Sequence, residues 1–406
     1  MALTFISLLV HAYIAWRLVP ALAEFSVWQI GVSLLIVGSA IALQVGLVLW
    51  RRRRAPQGRG HDAAMVAAFV AMGFLSSLLV LTLLRDLALL GAWVAVQLGL
   101  TFPVIAFTAW SALAVAAAAV LMTVLGMINA RQTARVVDVD IPIANLPASL
   151  HGFTIVQISD IHVGPTIKGD YLKSIVAAVN RLDADMVAVT GDLVDGSVAQ
   201  LRPHVAPLAD LTSRHGTYFV TGNHEYYSGV VAWVAELRRL NVNVLLNEHV
   251  VLRHNDGGLV IAGVTDHSGH HFDESHRSDP AGSIANAPPD LVRILLAHQP
   301  RSSAEAQEAG FQLQLSGHTH GGQFWPWNYF VRFQQPFTAG LHRLHSLWVY
   351  TSRGTGYWGP PKRFGAPSEI TQLRLVPAIP ILLPSASILA NGADEPKRFS
   401  RRTGDL

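Results

Sequence analysis

Seven side chains of types that bind divalent cations recur along the C-terminal two thirds of this 406-residue chain. They are Asp160, His162, Asp192, Asn223, His298, His318 and His320. Imidazole nitrogens and carboxylate or amide oxygens are common ligands of such metals. Seven ligands exceed the four of a tetrahedral ion and suit two ions about 3.5–4 Å apart that share a bridging carboxylate. The residue types therefore predict a dinuclear metal site.

The spacing within two of the motifs supports this prediction. In Asp160-x-His162 and His318-x-His320, the paired side chains are two residues apart. In an extended chain such residues point to the same face, so both members of a pair can approach one centre. Each motif alone also fits a polar turn, and a lone His298 also fits a structural histidine. The complete ordered set favours a metal site over these alternatives.

Each motif follows a segment that is predicted to be a strand. β-branched apolar runs bounded by polar residues indicate buried strands at residues 153–159 and 185–190, and helical spacing predicts helices at 170–182 and 230–240. Further strands are predicted at residues 217–221, 242–245, 259–264 and 293–298. Strands that alternate with helices indicate an α/β domain, in which functional groups lie on loops beyond the strand ends.

The motifs "SDIHVG", "GDLVDG", "TGNHE", "AHQP" and "SGHTHGGQ" together resemble the calcineurin-like metallophosphoesterase superfamily. The resemblance is strongest to the membrane-associated bacterial branch that includes YaeI- and YkuE-like proteins, and it covers roughly residues 150–376. It implies a four-layer α/β/β/α sandwich. It also implies metal-dependent hydrolysis of a phosphate ester or pyrophosphate bond by a metal-activated water, with manganese, iron, zinc or magnesium as the two divalent ions.

The resemblance also implies a role for each site residue. Asp160, His162 and His320 would hold the first ion, and Asp192 would bridge both ions. The second ion would be held by Asn223, His298 and His318. His224 would be catalytic without binding metal, as a proton donor near the leaving group. We interpret Asp195 and Glu225 as supporting residues rather than ligands.

The first third of the chain has a different character, because four apolar runs are long enough to cross a bilayer. A spanning helix needs about 20 mostly apolar residues, and residues 3–22, 27–50, 63–84 and 104–128 meet this length. A signal peptide is the alternative for the first run. Residues 87–100 are short for a span, and we interpret them as an interfacial or re-entrant piece; a fifth span is the alternative.

These features divide the chain into four parts. We predict an all-α transmembrane module at 1–130, a linker at 131–149, the metallophosphoesterase domain at 150–376, and an apolar proline-containing segment with a flexible tail at 377–406. Arginines at 51–54 and 59 lie between the second and third runs, and basic short loops stay in the cytoplasm. With four spans, the catalytic domain is then cytoplasmic, in an integral multi-pass protein of the cell or inner membrane. A fifth span would place it outside.

Composition narrows the functional classes. Hydrophobic residues make up 51% of the chain and charged residues 14%, as expected for a membrane protein. The absence of cysteine excludes disulfides and thiolate metal sites, and a net charge of +3 disfavours nucleic-acid binding. The expected partners are the lipid bilayer and a phosphorylated small molecule or lipid. The scarcity of charges in the apolar runs favours an anchor over a transporter.

Several substrates are compatible with the sequence. The resemblance suggests a lipid-linked pyrophosphate such as a UDP-diacylglucosamine-like molecule. Soluble nucleotides and phosphoproteins are alternative substrates, and a non-catalytic metal-binding sensor or scaffold is an alternative function. The oligomeric state cannot be predicted from the sequence.

Two segments after His320 have two interpretations each. The aromatic residues between Phe324 and Phe333 either fill the core or form an apolar lip that receives acyl chains or rests on the bilayer. The basic residues Arg353, Lys362 and Arg363 either contact substrate phosphate or are solvated.

Overall fold

The computed structural model describes residues 2–51 and 58–378. Its first part contains four long helices, α1 (Ala2–Leu18), α2 (Ser26–Arg51), α3 (Arg59–Gln97) and α4 (Val104–Arg131). Each is long and apolar enough to cross a membrane. Buried side chains such as Ile14, Ile36, Leu78 and Ala119 form a common core between the helices, whereas many large apolar side chains point outward.

The third helix is longer than predicted. Residues 87–97 continue α3 without a break, so the interpretation of this segment as a separate re-entrant piece is wrong. The charged pair Arg85–Asp86 ends the apolar run in the sequence but lies inside the bundle. Asp86 accepts hydrogen bonds from Arg17 Nε at 2.9 Å and Tyr13 Oη at 2.7 Å, so the helix tolerates it. At 1.5 Å per residue, α3 is roughly 58 Å long.

The second part is built on twelve strands within the described residues. They are β1 (Arg135–Ile143), β2 (Thr154–Ile158), β3 (Met186–Val189), β4 (Thr217–Phe219), β5 (Asn243–Val244), β6 (Glu248–His254), β7 (Gly257–Gly263), β8 (Val292–Leu296), β9 (Leu313–Ser316), β10 (Gly340–Leu344), β11 (Leu347–Thr351) and β12 (Glu369–Pro377). They form two six-stranded sheets, in the orders β1-β12-β2-β3-β4-β5 and β10-β11-β9-β8-β7-β6.

Seven α-helices accompany the strands in this part of the described chain. They are α5 (Gly169–Asn180), α6 (Val198–Val205), α7 (Asn223–Ser228), α8 (Val230–Arg239), α9 (Pro280–Ser283), α10 (Ser303–Glu308) and α11 (Trp327–Phe330). One core lies between the sheets, and two others lie under helices on the outer faces. Helices α5, α6 and α8 cover the first sheet, and α9 and α10 cover the second. The predicted α/β/β/α sandwich is confirmed.

The predicted linker at 131–149 is part of a sheet instead. Residues 135–143 form β1, which pairs in parallel with β12 over nine residues. Its sequence alternates, with Val137, Val139 and Ile141 turned inward and charged residues outward, and this period of two is the strand pattern. At the other end, the apolar segment and tail predicted for 377–406 lie beyond Ala378, almost wholly outside the described residues.

The sheet topology brings the functional loops together. Strands β2, β3 and β4 are parallel in the first sheet, and β7, β8 and β9 are parallel in the second. Parallel neighbours end at the same edge of a sheet. The loops after five of these strands carry the candidate ligands, and the packing of one sheet on the other places both sets of loops side by side.

Candidate metal centre

All seven predicted ligands lie in one buried cluster at the carboxyl ends of these strands. Three groups of side chains have potential ligand atoms within 4.8 Å of one another and could hold a metal ion. They are Asp160–His162–His320, Asp192–His298–His318 and His162–Asp192–His224. The sequence prediction thus names every residue of the first two groups.

The first group has the geometry of ligands directed at one point. The Nε2 atoms of His162 and His320 are 3.0 Å apart, and His320 Nε2 is 3.3 Å from Asp160 Oδ1. Two nitrogens bound to one ion at about 2.0–2.1 Å and at right angles would be roughly 3.0 Å apart. Asp160 and His162 are buried, so these polar atoms have little access to water. The arrangement fits a divalent cation.

The second group offers the same kind of fit. His298 Nε2 lies 3.2 Å from His318 Nδ1 and 3.2 Å from Asp192 Oδ2. Asn223 lines the same cavity as Asp192 and His318, and its Oδ1 atom is buried and has no hydrogen-bond partner in the described part of the chain. Leaving a buried acceptor unpaired costs about 1–3 kcal/mol. A cation bound to this oxygen would remove that cost.

Asp192 lies between the two groups. Its Oδ2 is 3.2 Å from His298 Nε2 in one group and 3.8 Å from His162 Nε2 in the other. Its Oδ1 accepts the backbone N–H of His224 at 2.9 Å. Burial raises the pKa of Asp192, but the facing imidazoles of His298 and His224 hold it well below its usual range. The carboxylate is therefore ionised and accessible from both groups.

Backbone strain accompanies this convergence. Five site residues adopt left-handed φ angles between 51° and 70°, namely Asp160, His162, Asp192, His318 and His320. Such conformations cost of order 1–3 kcal/mol each for non-glycine residues and cluster at functional sites. Close backbone approach adds a second constraint: a Cβ at Gly222 would lie 2.2 Å from Asp192 Oδ1, and one at Gly317 would lie 2.2 Å from Asp160 Oδ2.

Hydrogen bonds behind the cluster fix the orientation of its histidines. His298 Nδ1 lies 2.7 Å from the carbonyl of Thr190, to which it can donate, leaving Nε2 free to act as a ligand. Asp195 Oδ1 is 3.3 Å from His162 Nδ1 and 2.5 Å from His224 Nδ1. Asp195 thus holds two imidazoles at once.

Glu225 supports the loops rather than the imidazoles. Its carboxylate accepts three backbone N–H groups, from Asp192 at 2.9 Å, Leu193 at 2.8 Å and Gly222 at 2.7 Å. Burial, followed by the nearby charge of Asp192, raises the pKa of Glu225 to about 8. Glu225 therefore joins the loop after β3 to the loop after β4, the two loops that carry Asp192 and Asn223.

His224 is positioned to exchange a proton at the edge of the cluster. Burial lowers its pKa, but the carboxylates of Asp192 and Asp195 raise it to about 9. The ring borders a cavity, described below, and is T-shaped against Trp358, with centroids 5.9 Å apart. Because His224 also lies within ligand distance of His162 and Asp192, its role as a donor rather than a ligand remains a prediction.

Replacing Asp195 should show how far this positioning matters. Asp195→Asn keeps the size of the side chain but removes the charge that faces His162 and His224. Loss of such an outer partner typically costs roughly 10–100-fold in metal affinity or activity, and we expect a decrease of this size in kcat. Steady-state kinetics on a phosphate monoester, together with a metal titration, measures it. Unchanged values of both would show that Asp195 does not orient the two rings.

A cavity of about 1370 Å³ extends from the cluster to the helical bundle. One end is lined by His162, Asp192, Asn223, His224 and other residues of the site. The other end is lined by Leu49 of α2 and by Met65, Phe69 and Met72 of α3. These helix residues could not be predicted as part of the site, because only the packing of the two parts of the chain brings them to it.

The structure separates the two interpretations of the aromatic residues. Phe324 is buried, but Trp327, Tyr329, Phe330 and Phe333 are exposed, so core filling does not account for them. Trp327 and Phe330 line the cavity. Trp327 Nε1 also donates to Ser76 Oγ of α3 at 2.9 Å. These residues form an apolar border between the site and the bundle.

Two of the three basic residues lie where neither interpretation placed them. Lys362 and Arg363 are each 1% exposed, so they are not solvated, and neither lines the cavity. Arg353 is partly exposed and pairs with Glu369 at 3.2 Å. None of the three lines this cavity.

Comparison with known proteins agrees with this arrangement. A calcineurin-like phosphoesterase family profile matches residues 153–322. The chain is 42% identical over 266 residues to a transmembrane protein with metallophosphoesterase domain from Bos taurus, covering 63% of this chain and 60% of that protein. It is 34% identical over 218 residues to an uncharacterized metallophosphoesterase from Aquifex aeolicus, covering 53% and 82%.

A bacterial relative of the predicted branch is also similar. The chain is 30% identical over 238 residues to the uncharacterized metallophosphoesterase YkuE of Bacillus subtilis, covering 57% of this chain and 81% of that protein. The predicted resemblance to YkuE-like proteins is thereby confirmed. Against the longer relatives from Bos taurus and Danio rerio, the chain spans 60% of their length.

Proposed function

The chain belongs to the calcineurin-like metallophosphoesterase family, and on this premise we propose that it is a membrane-anchored hydrolase of phosphate esters or pyrophosphates. The observation that carries the proposal is the convergence of the predicted ligands, four of which form two close imidazole pairs, around the carboxylate of Asp192. A degenerate site would have lost ligands, so this completeness favours an enzyme over a sensor or scaffold.

The donor set supports two divalent cations. Asp160, His162 and His320 would hold one, and the second would be held by His298 and His318 together with Asn223, whose buried Oδ1 has no hydrogen-bond partner in the described part of the chain. Asp192 would be shared between the cations. When bound, the cations would supply an activated water and neutralise charge on the phosphoryl group. Nitrogen and oxygen donors without thiolates suit manganese, iron, zinc and magnesium.

The protein's own groups would complete the reaction. His224, with a pKa raised by two carboxylates, carries a proton at neutral pH and borders the cavity. It would donate that proton to the leaving oxygen, and Asp195 would keep its ring in place. The buried walls around Asp160 and His298 exclude water, which strengthens each electrostatic contact.

The cavity supports a substrate with an apolar part. Its inner end is polar and lies at the metal centre, whereas its outer end is lined by side chains of α2, α3 and the aromatic border. A lipid-linked phosphate or pyrophosphate would place its phosphorus at the metal centre and its acyl chains against Met65, Phe69 and Phe330. A soluble nucleotide would leave this apolar surface without a contact.

An assay with three substrate classes tests the function. The full chain in detergent, loaded with manganese, is offered a phosphate monoester, a phosphodiester and a lipid-linked nucleotide pyrophosphate. Preferred turnover of the lipid substrate supports the proposal in full, and turnover of only the soluble esters would restrict it to the reaction type. Two bound metals without turnover of any substrate would favour the sensor alternative.

A matched pair of aromatic residues tests the lipid substrate. Phe330 lines the cavity, whereas Phe333, three residues away, is 75% exposed and does not. Burial of a phenylalanine side chain is worth about 1.5–3 kcal/mol, so Phe330→Asn should raise KM for the lipid substrate at least about tenfold. Phe333→Asn is the control and should not change it, and neither variant should change KM for p-nitrophenyl phosphate. Equal effects of both variants would remove the argument.

We further propose that the catalytic domain lies in the cytoplasm. Helices α2 and α4 end on the same side of the bundle, at Arg51 and Arg131, and the catalytic domain follows α4 on that side. Basic residues at this end favour a cytoplasmic location. Reporter fusions after Ala134, active only in one compartment, test the orientation, and reporter activity outside the cytoplasm would contradict it.

A further inference from the structure

Residues 359–363, the docking segment, lie between helices α3 and α4. The backbone N–H of Arg363 donates to the carbonyl of Gly126 at 2.9 Å, and Asn129 Nδ2 donates to the carbonyl of Arg363 at 3.1 Å. A Cβ at Gly126 would lie 2.5 Å from Lys362 Cγ, so a larger residue there would displace the segment. The catalytic domain is thus bonded, backbone to backbone, into the helical bundle.

Lys362 connects the docking segment to helices α3 and α4. Its ammonium donates to the carbonyl of Gly73 at 3.1 Å, to Ser77 Oγ at 2.5 Å and to Thr123 Oγ1 at 3.3 Å, and it lies 5.1 Å from the ring centroid of Phe324. Burial lowers its pKa to about 8, and among the described residues no charged partner opposes this shift. Because the buried ammonium is bound by two helix hydroxyls and a carbonyl, the position of Lys362 relative to α3 and α4 is closely fixed.

Arg363, the next residue, connects the docking segment to His320. Its guanidinium is buried and reaches the backbone and the ring of His320. It donates to the carbonyl of His320 at 2.9 Å and lies 3.1 Å from His320 Nδ1, and it also donates to the carbonyls of Gly356 and Arg353. Arg363 therefore holds the backbone of His320 from behind. It differs from the Thr190 carbonyl and the Asp195 carboxylate, which can accept from an imidazole N–H, because a guanidinium can only donate.

We propose that α3 and α4 position the metal ligand His320 through Lys362 and Arg363. The helical bundle then supports the metal centre in addition to anchoring the protein. This inference rests on the proposed function in one respect, namely that His320 binds metal. Lys362 and Arg363 are consecutive residues. A shift of Lys362 relative to the helices would therefore also move Arg363 and its two contacts to His320. Lys362 and Arg363 are positioning residues, since neither borders the cavity.

A selective effect on one ion distinguishes positioning from general packing. Lys362→Met keeps the length of the side chain but cannot donate to Ser77, Thr123 or Gly73. In the full chain in detergent, we expect it to weaken manganese binding at the ion held by Asp160, His162 and His320 by roughly 10–100-fold. The second ion should keep its affinity. Manganese titration followed by electron paramagnetic resonance measures both, and kcat on p-nitrophenyl phosphate should fall while KM stays unchanged.

Two further variants make the result decisive. The double variant Ser77→Ala/Thr123→Val removes two partners of Lys362 from the helix side at nearly constant volume, and it should weaken the same ion even where Lys362→Met does not fold. Ser39→Ala is the matched control, because it removes a buried helix hydroxyl that lies 3.0 Å from His11 Nε2 and makes no contact with the docking segment. It should leave both affinities unchanged.

Coupling to His320 completes the test. If Lys362 acts through His320, Lys362→Met should cause no further loss of affinity in a His320→Ala background. Full additivity, a loss at both ions, or wild-type affinities in Lys362→Met and the double variant would overturn the inference while leaving the proposed function intact. A wild-type chain that binds no manganese would overturn both.

Discussion

Asp192→Asn should leave at most one manganese ion bound per chain and lower kcat by roughly a thousandfold or more, because a metal contact that stabilises transition-state charge is worth several kcal/mol. Asp192 is the carboxylate whose Oδ2 approaches both His298 and His162. Asparagine has the same size and can still accept the backbone N–H of His224 through its Oδ1. The substitution thus removes a charge and a shared ligand with little change in packing.

The measurement combines metal analysis with turnover of a phosphate monoester. Asp185→Asn is the control, because Asp185 directly precedes the same strand, β3, at its opposite end, where it accepts the backbone N–H of Thr154 at 2.8 Å. The control should keep two ions and wild-type turnover. Two tightly bound ions in Asp192→Asn would show that this carboxylate is not shared, and equal losses in both variants would point to a general effect on the sheet.

The strand ends explain why the cluster could be predicted from the sequence. Each ligand motif directly follows a buried apolar strand, and parallel strands end at one edge of a sheet. Asp160 follows β2, Asp192 follows β3, and His318 follows β9. Local patterns are enough to recognise such strands, so the order of motifs along the chain carries most of the information about the site.

Contacts between distant parts of the chain explain what could not be predicted. The pairing of β1 with β12 joins residues more than 200 positions apart, so the alternation in residues 135–143 has no visible partner in the sequence. Likewise, the charges of Arg85 and Asp86 suggest that the apolar run ends there. The structure shows that Arg17, 69 residues away from Asp86, binds its carboxylate. Both errors come from treating a segment by its local pattern alone.

The docking segment shows the same limit for function. In the sequence, Lys362 and Arg363 are two cations beside prolines and an aromatic residue, a pattern that suggests phosphate contact or solvent exposure. Their burial follows from glycines on α3 and α4 that lie more than 200 residues earlier in the chain, Gly73 and Gly126. Residue type predicted which side chains converge in one cluster, but it could not identify which polar groups support those side chains from behind.

His224→Ala should keep both ions and lose roughly 10²–10⁴-fold in kcat on an alkyl phosphate, the usual contribution of a positioned general acid. The physical reason is the proton that Asp192 and Asp195 hold on this ring by raising its pKa to about 9. An alkoxide needs that proton in order to leave, whereas p-nitrophenolate leaves without one. The loss should therefore be much smaller on p-nitrophenyl phosphate, and kinetics on the two substrates measures the difference.

The pH dependence follows from the same proton. A general acid works only in its protonated form, so kcat on the alkyl phosphate should be high at low pH and fall as the pH rises through the pKa of His224. Bound cations would offset the charge of Asp192, so this fall should begin at or below about pH 9. In His224→Ala the descending limb should be absent. Loss of an ion in the His224→Ala variant would instead show that His224 is a ligand, which its position beside His162 and Asp192 also allows. The loss of kcat would then be equal on the alkyl phosphate and on p-nitrophenyl phosphate, because both substrates need the metal equally.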